Sequence, residues 1–273
     1  MNRRHFLAAP GALAAASAAQ TPAAARLIQA ALDDQLGWKR LEYLCDSIGH
    51  RLSGSAGMTR SIDWAVAEMK KDGLEGVAAP EVMVPHWVRG KESAHLVAPW
   101  QTELPMLGLG GSIGTPPGGI TAETVAVESF DELDKLDAEK VKGKIVVYAV
   151  PWEGYGKTVA YRGNGAIRGA QLGAVAVLVR GAGPLGLRTP HTGMMRYQDG
   201  VAKIPAAGIS AEDAMMLLRL QRAGMPATVR LEMGAQPWPD AKGANVIAEW
   251  RGREKPEEIV VLGGHFDSWD AGQ

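Results

Sequence analysis

Two side chains that could bind and orient a metal ion lie two positions apart at His265 and Asp267. They follow the apolar run at residues 259–262, which predicts a strand buried on both faces of a sheet. Side chains alternate along a strand, so both point to the same side, and local bending lets the carboxylate reach an imidazole nitrogen. That hydrogen bond fixes the tautomer and makes the other ring nitrogen a better metal ligand. Gly263 and Gly264 allow the backbone to bend there.

The position of this pair supports a site, although its chemistry alone leaves an alternative open. Open α/β sheets carry their sites at the carboxyl ends of strands, where His265 is expected. The same pattern also fits a histidine that only makes a hydrogen bond at the end of a strand. The other histidines at positions 50, 86, 95 and 191 form no pair with the spacing of metal ligands.

The elements that would position the pair are predicted from hydrophobic periodicity. A helix is predicted over residues 21–45, and a second over residues 56–71 with Ser53 or Ser55 as its N-cap. The stretches EVMVPHWVRG and ESAHLVAP predict two strands joined in a hairpin at Gly90 and Lys91.

A change of composition near residue 104 predicts a second domain. After a Gly- and Pro-rich stretch, five predicted strands alternate with two predicted helices up to residue 235, which is typical of an α/β unit. A linker, GAQPWPDAK, then precedes two predicted strands, GANVIAEWRG and EEIVVLGGH. The prediction is one α/β domain, made of residues 22–103 and 236–273, with residues 104–235 inserted between its two parts.

Composition excludes several classes of protein. The chain has 273 residues, 46% of them hydrophobic, and a net charge of −1, which provides no basic surface for nucleic acid. Its single cysteine, Cys45, excludes an internal disulfide.

The first residues resemble an export signal. Arg3 and Arg4 precede a short Ala-rich apolar stretch and small residues that suit cleavage, so residues 1–20 are predicted to be a twin-arginine-like signal peptide. An ordinary secretory signal with a chance pair of arginines is the alternative. The apolar stretch is too short for a permanent membrane anchor, and a periplasmic or extracellular location follows from either interpretation.

The motif GGHFDSWDAGQ resembles that of the co-catalytic zinc exopeptidases, and its Trp-Asp-x-Gly-Gln portion resembles the carboxypeptidase Q branch. Residues 48–77 resemble the opening loop and helix of that family, and residues 244–252 resemble the strand before the metal strand. Residues 104–235 resemble a protease-associated domain. The resemblance implies a three-layer α/β/α peptidase domain with an inserted β-rich domain, and it covers nearly all of the chain after the signal.

By this resemblance His265 is a ligand of one of two zinc ions, and Asp267 is the catalytic-site carboxylate that orients it. The resemblance assigns no role to Asp270. The bridging aspartate of the family, its paired glutamates and its last ligands lie beyond Gln273. The expectation is therefore an N-terminal portion of an exported exopeptidase that cleaves dipeptides or terminal residues, inactive in this truncated form. A peptide is the expected partner, and a homodimer is left open.

Three other functions are alternatives to an exopeptidase: dinucleotide binding, serine hydrolysis and peptide binding without catalysis. The glycines of GNGAIRG at residues 163–169 are one residue too widely spaced for a dinucleotide-binding loop, and suit a helix packed on a sheet equally well. Ser53, Ser55 and Ser268 lack the context of a nucleophile elbow. A non-catalytic binding module that acts through the protease-associated domain remains the alternative function.

Overall fold

The computed structural model describes residues 22–271, so the predicted signal peptide at residues 1–20 lies outside the described part. The chain divides into two compact units, one that ends at Gly49 and one that begins at His50. The second unit contains the sheets and the motif around His265. It mixes helices with parallel and antiparallel strands, which confirms the predicted α/β class.

The first unit is helical. The predicted helix over residues 21–45 is divided into α1 (Pro22–Asp33) and α2 (Leu36–Glu42), which continues into a π-helical segment, Tyr43–Ile48. The Asp34 carboxylate accepts a hydrogen bond from the Leu36 amide at 2.9 Å, which satisfies the first amide of α2 at the break. None of the described helices is both long and apolar enough to cross a membrane.

The second unit opens with α3 (Ala56–Lys71), whose bounds match the prediction. The Ser55 hydroxyl accepts a hydrogen bond from the Met58 amide at 3.2 Å, which makes Ser55 the N-cap. Gly73, with φ of 77°, follows the last turn. The strand β1 (Glu75–Ala78) comes next and pairs with β12 (Ile247–Glu249) in a two-stranded sheet.

An eight-stranded mixed sheet has the order β4-β3-β10-β6-β7-β8-β9-β5. Strands β6 to β9 are parallel, and the other neighbours are antiparallel. The strands are β3 (Glu92–Ala98), β4 (Thr102–Glu103), β5 (Met106–Gly108), β6 (Ile120–Val127), β7 (Ile145–Tyr148), β8 (Ala176–Arg180), β9 (Ala206–Ile209) and β10 (Thr228–Met233). The predicted domain boundary at residue 104 falls inside this sheet, since β3 and β4 precede it.

Helices cover both faces of the parallel strands. They are α4 (Phe130–Asp134), α5 (Ala138–Val141), α6 (Tyr155–Gln171) and α7 (Ala211–Arg222). Ile145 and Val147 of β7 pack in the hydrophobic cluster that contains α7, while Val146 and Tyr148 pack in the cluster that contains α6. This alternation buries every residue of β7, as expected for a strand between two helical layers.

The Gly-rich stretch at residues 163–169 lies in the interior of α6, so it forms no phosphate-binding loop. A Cβ on Gly165 would lie 2.7 Å from the Tyr148 ring, and one on Gly169 would lie 2.9 Å from Val177. Both distances are far below van der Waals contact, so the glycines let α6 approach the sheet closely.

The predicted hairpin at Gly90 is wrong, although both of its strands form. The strand β2 (Glu81–Val88) pairs with β11 (Gln236–Ala244) in a separate two-stranded sheet, whereas β3 joins the eight-stranded sheet. Gly90 has a φ of 69°, and a Cβ there would lie 2.6 Å from the Gly234 carbonyl oxygen. It therefore permits a crossing between two sheets, where the prediction had placed a turn within one sheet.

The segment GAQPWPDAK, predicted as a linker, contributes most of β11. Pro237 lies opposite Trp87, and the pairing shifts between Trp238 and Ala241. A strand that pairs on one side accommodates proline because its free edge needs no amide donor.

The strand predicted over residues 257–264 does not form. Residues 259–262 are between 83% and 91% exposed, although their sequence predicts burial on both faces. No strand in the described part of the chain pairs with this run, and β12 pairs with β1 instead. A strand needs a neighbour for its backbone hydrogen bonds, so apolar sequence alone does not form one.

Candidate metal centre

The structure brings His265 and Asp267 together as a hydrogen-bonded pair. The imidazole Nδ1 lies 2.6 Å from the Asp267 carboxylate Oδ1. The side chain of His265 is 90% exposed and that of Asp267 44%. The pair lies in an irregular segment instead of at the end of a strand, so the backbone supplies the bend that the contact needs. Since the carboxylate accepts from Nδ1, Nε2 points its lone pair outward and can bind a metal ion.

This pair by itself is not a complete zinc site. Within residues 22–271, no three His, Cys, Asp or Glu side chains are grouped closely enough to hold a metal ion. A catalytic zinc takes about three protein ligands and leaves a further position for water. His265 fits the role of one ligand, with Asp267 as the carboxylate that orients it, and the described residues do not supply the rest of the donor set.

A loop before α3 binds the segment after His265. The Arg51 amide donates to the Ser268 hydroxyl at 3.0 Å, and the Ser268 amide donates to the Arg51 carbonyl at 3.1 Å. The Arg51 guanidinium also donates to the Phe266 carbonyl at 2.9 Å. The loop itself packs closely on α3, because a Cβ on Gly57 would lie 1.9 Å from the His50 carbonyl oxygen.

Asp270 binds a buried arginine. Arg89 Nε lies 3.0 Å from one Asp270 oxygen, and Nη2 lies 2.6 Å from the other. Arg89 Nη1 donates to the Gly108 carbonyl, and the Glu92 carboxylate lies 3.5 Å from the same nitrogen and accepts from the Gly108 amide. We call these four residues the Arg89 cluster. Burial raises the pKa of Glu92, although the Arg89 charge opposes the rise.

Trp269 lies between Ser268 and Asp270, packs against Gly110 after β5 and lines a cavity of about 650 Å³. A Cβ on Gly110 would lie 2.3 Å from the Trp269 ring, so the ring occupies the space that a side chain would need. Other lining residues include Tyr155, Arg162 and His191. The cavity therefore adjoins the segment that carries His265.

The cavity is electropositive. Its described lining contains the guanidinium of Arg162 and no carboxylate. The Arg162 guanidinium donates to the Tyr155 hydroxyl at 2.9 Å and the Thr192 carbonyl at 3.2 Å, while its buried Nε has no hydrogen-bond partner. Burial lowers the pKa of His191, and the Arg162 charge lowers it further, so this imidazole is neutral at pH 7.

The sequence predicted the contact between His265 and Asp267 but not the contacts that Arg51, Arg89 and Asp270 make with this segment. The two arginines lie far from the motif in sequence and carry no local pattern. Asp270 belongs to the motif, and its carboxylate could have been identified as a candidate partner for a distant cation. From the sequence, Ser268 is a candidate only for a nucleophile, whereas in the structure its hydroxyl and amide bind Arg51.

Comparisons with known proteins identify relatives of the chain, although no family model matches it. Carboxypeptidase Q from Mus musculus is 48% identical over 236 residues, which are 86% of this chain and 50% of that protein. The chain thus spans about half the length of the curated relatives it matches.

Solved structures agree with this relationship. The crystal structure of a peptidase M28 precursor from Shewanella amazonensis matches with a TM-score of 0.85 and 36% identity, over 90% of this chain and 57% of that one. A zinc aminopeptidase from Bacillus subtilis shares the fold at a TM-score of 0.55 and 20% identity, over 80% of this chain and 47% of that one. The likeness to carboxypeptidase Q in sequence and to a peptidase M28 precursor in fold supports membership of this chain in the co-catalytic zinc exopeptidase family.

Proposed function

We propose that this chain is the N-terminal portion of an exported, zinc-dependent exopeptidase that cleaves dipeptides or terminal residues from peptides. The observation that carries the proposal is the hydrogen bond of 2.6 Å between His265 and Asp267, which leaves Nε2 exposed. The likeness to carboxypeptidase Q supports a peptide substrate. A periplasmic or extracellular location, a signal peptide at residues 1–20 and a homodimer remain parts of the proposal.

In this proposal His265 binds zinc through Nε2, and Asp267 holds the proton of the ring on Nδ1. The remaining ligands and the general base belong to the half of the relatives that this chain does not span. A complete site would supply a metal-bound water of lowered pKa. A single imidazole binds zinc weakly, so we expect the chain alone not to hydrolyse peptides.

The electropositive cavity beside Trp269 is where we place the peptide. A cavity with an arginine and no described acid favours the negatively charged end of a peptide over the positively charged end. Its position on the inserted residues 104–235, which we propose to be a protease-associated domain, also supports the second candidate function. In that case the domain binds peptides without cleaving them.

Calorimetric titration of this chain with zinc tests the single-ligand expectation. We expect weak binding that is lost in His265→Ala and kept in His95→Ala, a control at an exposed histidine on β3. Sub-micromolar binding that is lost in His265→Ala would contradict this expectation, because a single imidazole binds zinc only weakly.

Hydrolysis of dipeptides by a polypeptide that spans the full length of the relatives tests the function. We expect activity that a chelator removes and zinc restores, with loss in His265→Ala and retention in His95→Ala. Peptide binding with no hydrolysis at any zinc concentration would instead support the binding module.

A further inference from the structure

We propose that Arg89 and Asp270 are positioning residues for the metal centre. Their ion pair fixes residues 266–270 against the eight-stranded sheet and so holds the His265–Asp267 pair in place. The inference rests on the proposed function for the role of His265, whereas the geometry that carries it does not involve zinc. Among the described residues, neither Arg89 nor Asp270 makes a hydrogen bond to His265 or Asp267, so both act through the backbone between them.

The shape of the Arg89 cluster suits a fixed anchor. The side chain of Arg89 is 9% exposed and that of Asp270 is 23% exposed, so water competes weakly for their hydrogen bonds. The planar guanidinium binds both Asp270 oxygens while a third nitrogen binds the Gly108 carbonyl. A lysine ammonium would carry the same charge but could not form this two-pronged contact.

The backbone of Arg89 is itself held firmly. Arg89 lies between β2 and β3, where the chain passes from the two-stranded sheet to the eight-stranded sheet. Gly90 follows in close contact with Gly234. Glu92 is the first residue of β3, and its carboxylate accepts a hydrogen bond from the Gly108 amide at the end of β5. The guanidinium therefore projects from a junction of three strands onto Asp270.

His265 depends on such an anchor because its own support is slight. Its side chain is 90% exposed, and within the described residues its hydrogen bond to Asp267 is the one that fixes the ring. The segment after it is attached at Ser268 by Arg51 and at Asp270 by Arg89. Loss of the Arg89 attachment leaves the hydrogen bonds of Arg51 to Phe266 and Ser268 and the packing of Trp269 on Gly110, so the backbone on the Asp270 side of Asp267 gains freedom and the pair becomes less persistent.

Amide exchange measured by NMR on this chain provides the first test. The Ser268 amide is the reporter, since it donates to the Arg51 carbonyl beside the proposed anchor. We expect exchange about tenfold to a hundredfold faster in Asp270→Asn and in Arg89→Lys, the factor that loss of a charged hydrogen bond gives. The double variant should exchange no faster than either single one, because both changes remove the same contact.

The matched control is Arg188→Lys. Arg188 Nε binds both oxygens of the buried Asp213 on α7 at 2.9 Å and 3.1 Å, so the variant removes a similar contact elsewhere in the second unit. It should leave the Ser268 amide unchanged. Asp270→Asn keeps Arg89 with Glu92 and Gly108, so it remains informative if Arg89→Lys does not fold.

The second readout separates positioning from mere stability. Nitrogen-15 NMR of the His265 imidazole should show one tautomer, with the proton on Nδ1, in the parent chain and a mixture in Asp270→Asn. Unchanged exchange at Ser268 overturns the proposal, and so does faster exchange with an unchanged tautomer, which would make the anchor purely structural. Neither readout uses zinc or turnover, so a failure of the peptidase function would appear only in the hydrolysis assay.

Discussion

The substitution Gly110→Ala tests how the segment after His265 packs against the eight-stranded sheet. A Cβ at this position would lie 2.3 Å from Cη2 and 2.5 Å from Cζ3 of Trp269. Carbon atoms pack at about 3.5–4.0 Å, so the ring must move by about 1 Å or more. Gly110 is not among the glycines with positive φ, so its backbone accepts alanine without strain.

The expected cost follows from this overlap. Forcing an extra methyl group into a packed contact costs about 1–3 kcal/mol of unfolding free energy. The Met194 sulfur, 3.1 Å from the same Cβ position, adds little because the methionine side chain can move. We therefore expect Gly110→Ala to lower the unfolding free energy by about 1–3 kcal/mol through displacement of the Trp269 ring.

Urea unfolding of four chains isolates this contact: the parent, Gly110→Ala, Trp269→Ala and the double variant. Without the indole ring the added methyl group has room, so Gly110→Ala should cost less than about 0.5 kcal/mol in the Trp269→Ala background. The control is Gly156→Ala in α6, where a new Cβ meets nothing within 4 Å. Equal costs of Gly110→Ala in both backgrounds would show that the ring does not lie on Gly110 and would refute the reasoning.

Two further predictions concern charge. Burial raises the pKa of Glu92 against the opposing charge of Arg89, and Asp270 adds to the rise. The Glu92 carboxyl group therefore binds its proton more tightly in the native state than in the unfolded chain. The contribution of Glu92 to the free energy of unfolding is greatest below pH 4.5 and falls as the pH rises through the raised pKa. Urea unfolding across this range should show a smaller fall in Glu92→Gln, and an identical pH slope would contradict the prediction. In the cavity, Arg162→Met should raise the pKa of His191 towards its usual value, because burial remains but the neighbouring charge is gone. NMR titration of the imidazole measures this, and an unchanged titration would mean that the guanidinium does not act on His191.

Local signals in the sequence were sufficient for several elements. Ser55 and Gly73 mark the two ends of α3, because each satisfies backbone groups that a helix leaves without partners. ITAETVAV, one of the five strands predicted after residue 104, forms β6 with the bounds Ile120–Val127. Asp267 was predicted to reach His265 by local bending, and the contact depends only on neighbouring residues.

Pairings between distant segments could not be predicted in the same way. Strands β2 and β3 have strong local patterns, yet β2 pairs with β11 and β3 pairs with β10 as well as with the nearby β4, and nothing near Gly90 encodes the distant choices. The ion pair of Arg89 with Asp270 is a meeting of the same kind. The apolar run at residues 259–262 has the sequence of a buried strand, but the described part of the chain offers it no adjacent edge.

The reciprocal hydrogen bonds of Arg51 and Ser268 bear on the order in which the molecule folds. They join residues 217 positions apart. The chain between these residues contains β2 and β11, which form a two-stranded sheet, and the whole eight-stranded sheet. Contacts of such range gain their stability only after the intervening chain has become compact. We therefore expect the neighbourhood of His265 to be among the last regions to acquire its native geometry, so that damage to the eight-stranded sheet delays assembly of the centre without touching it.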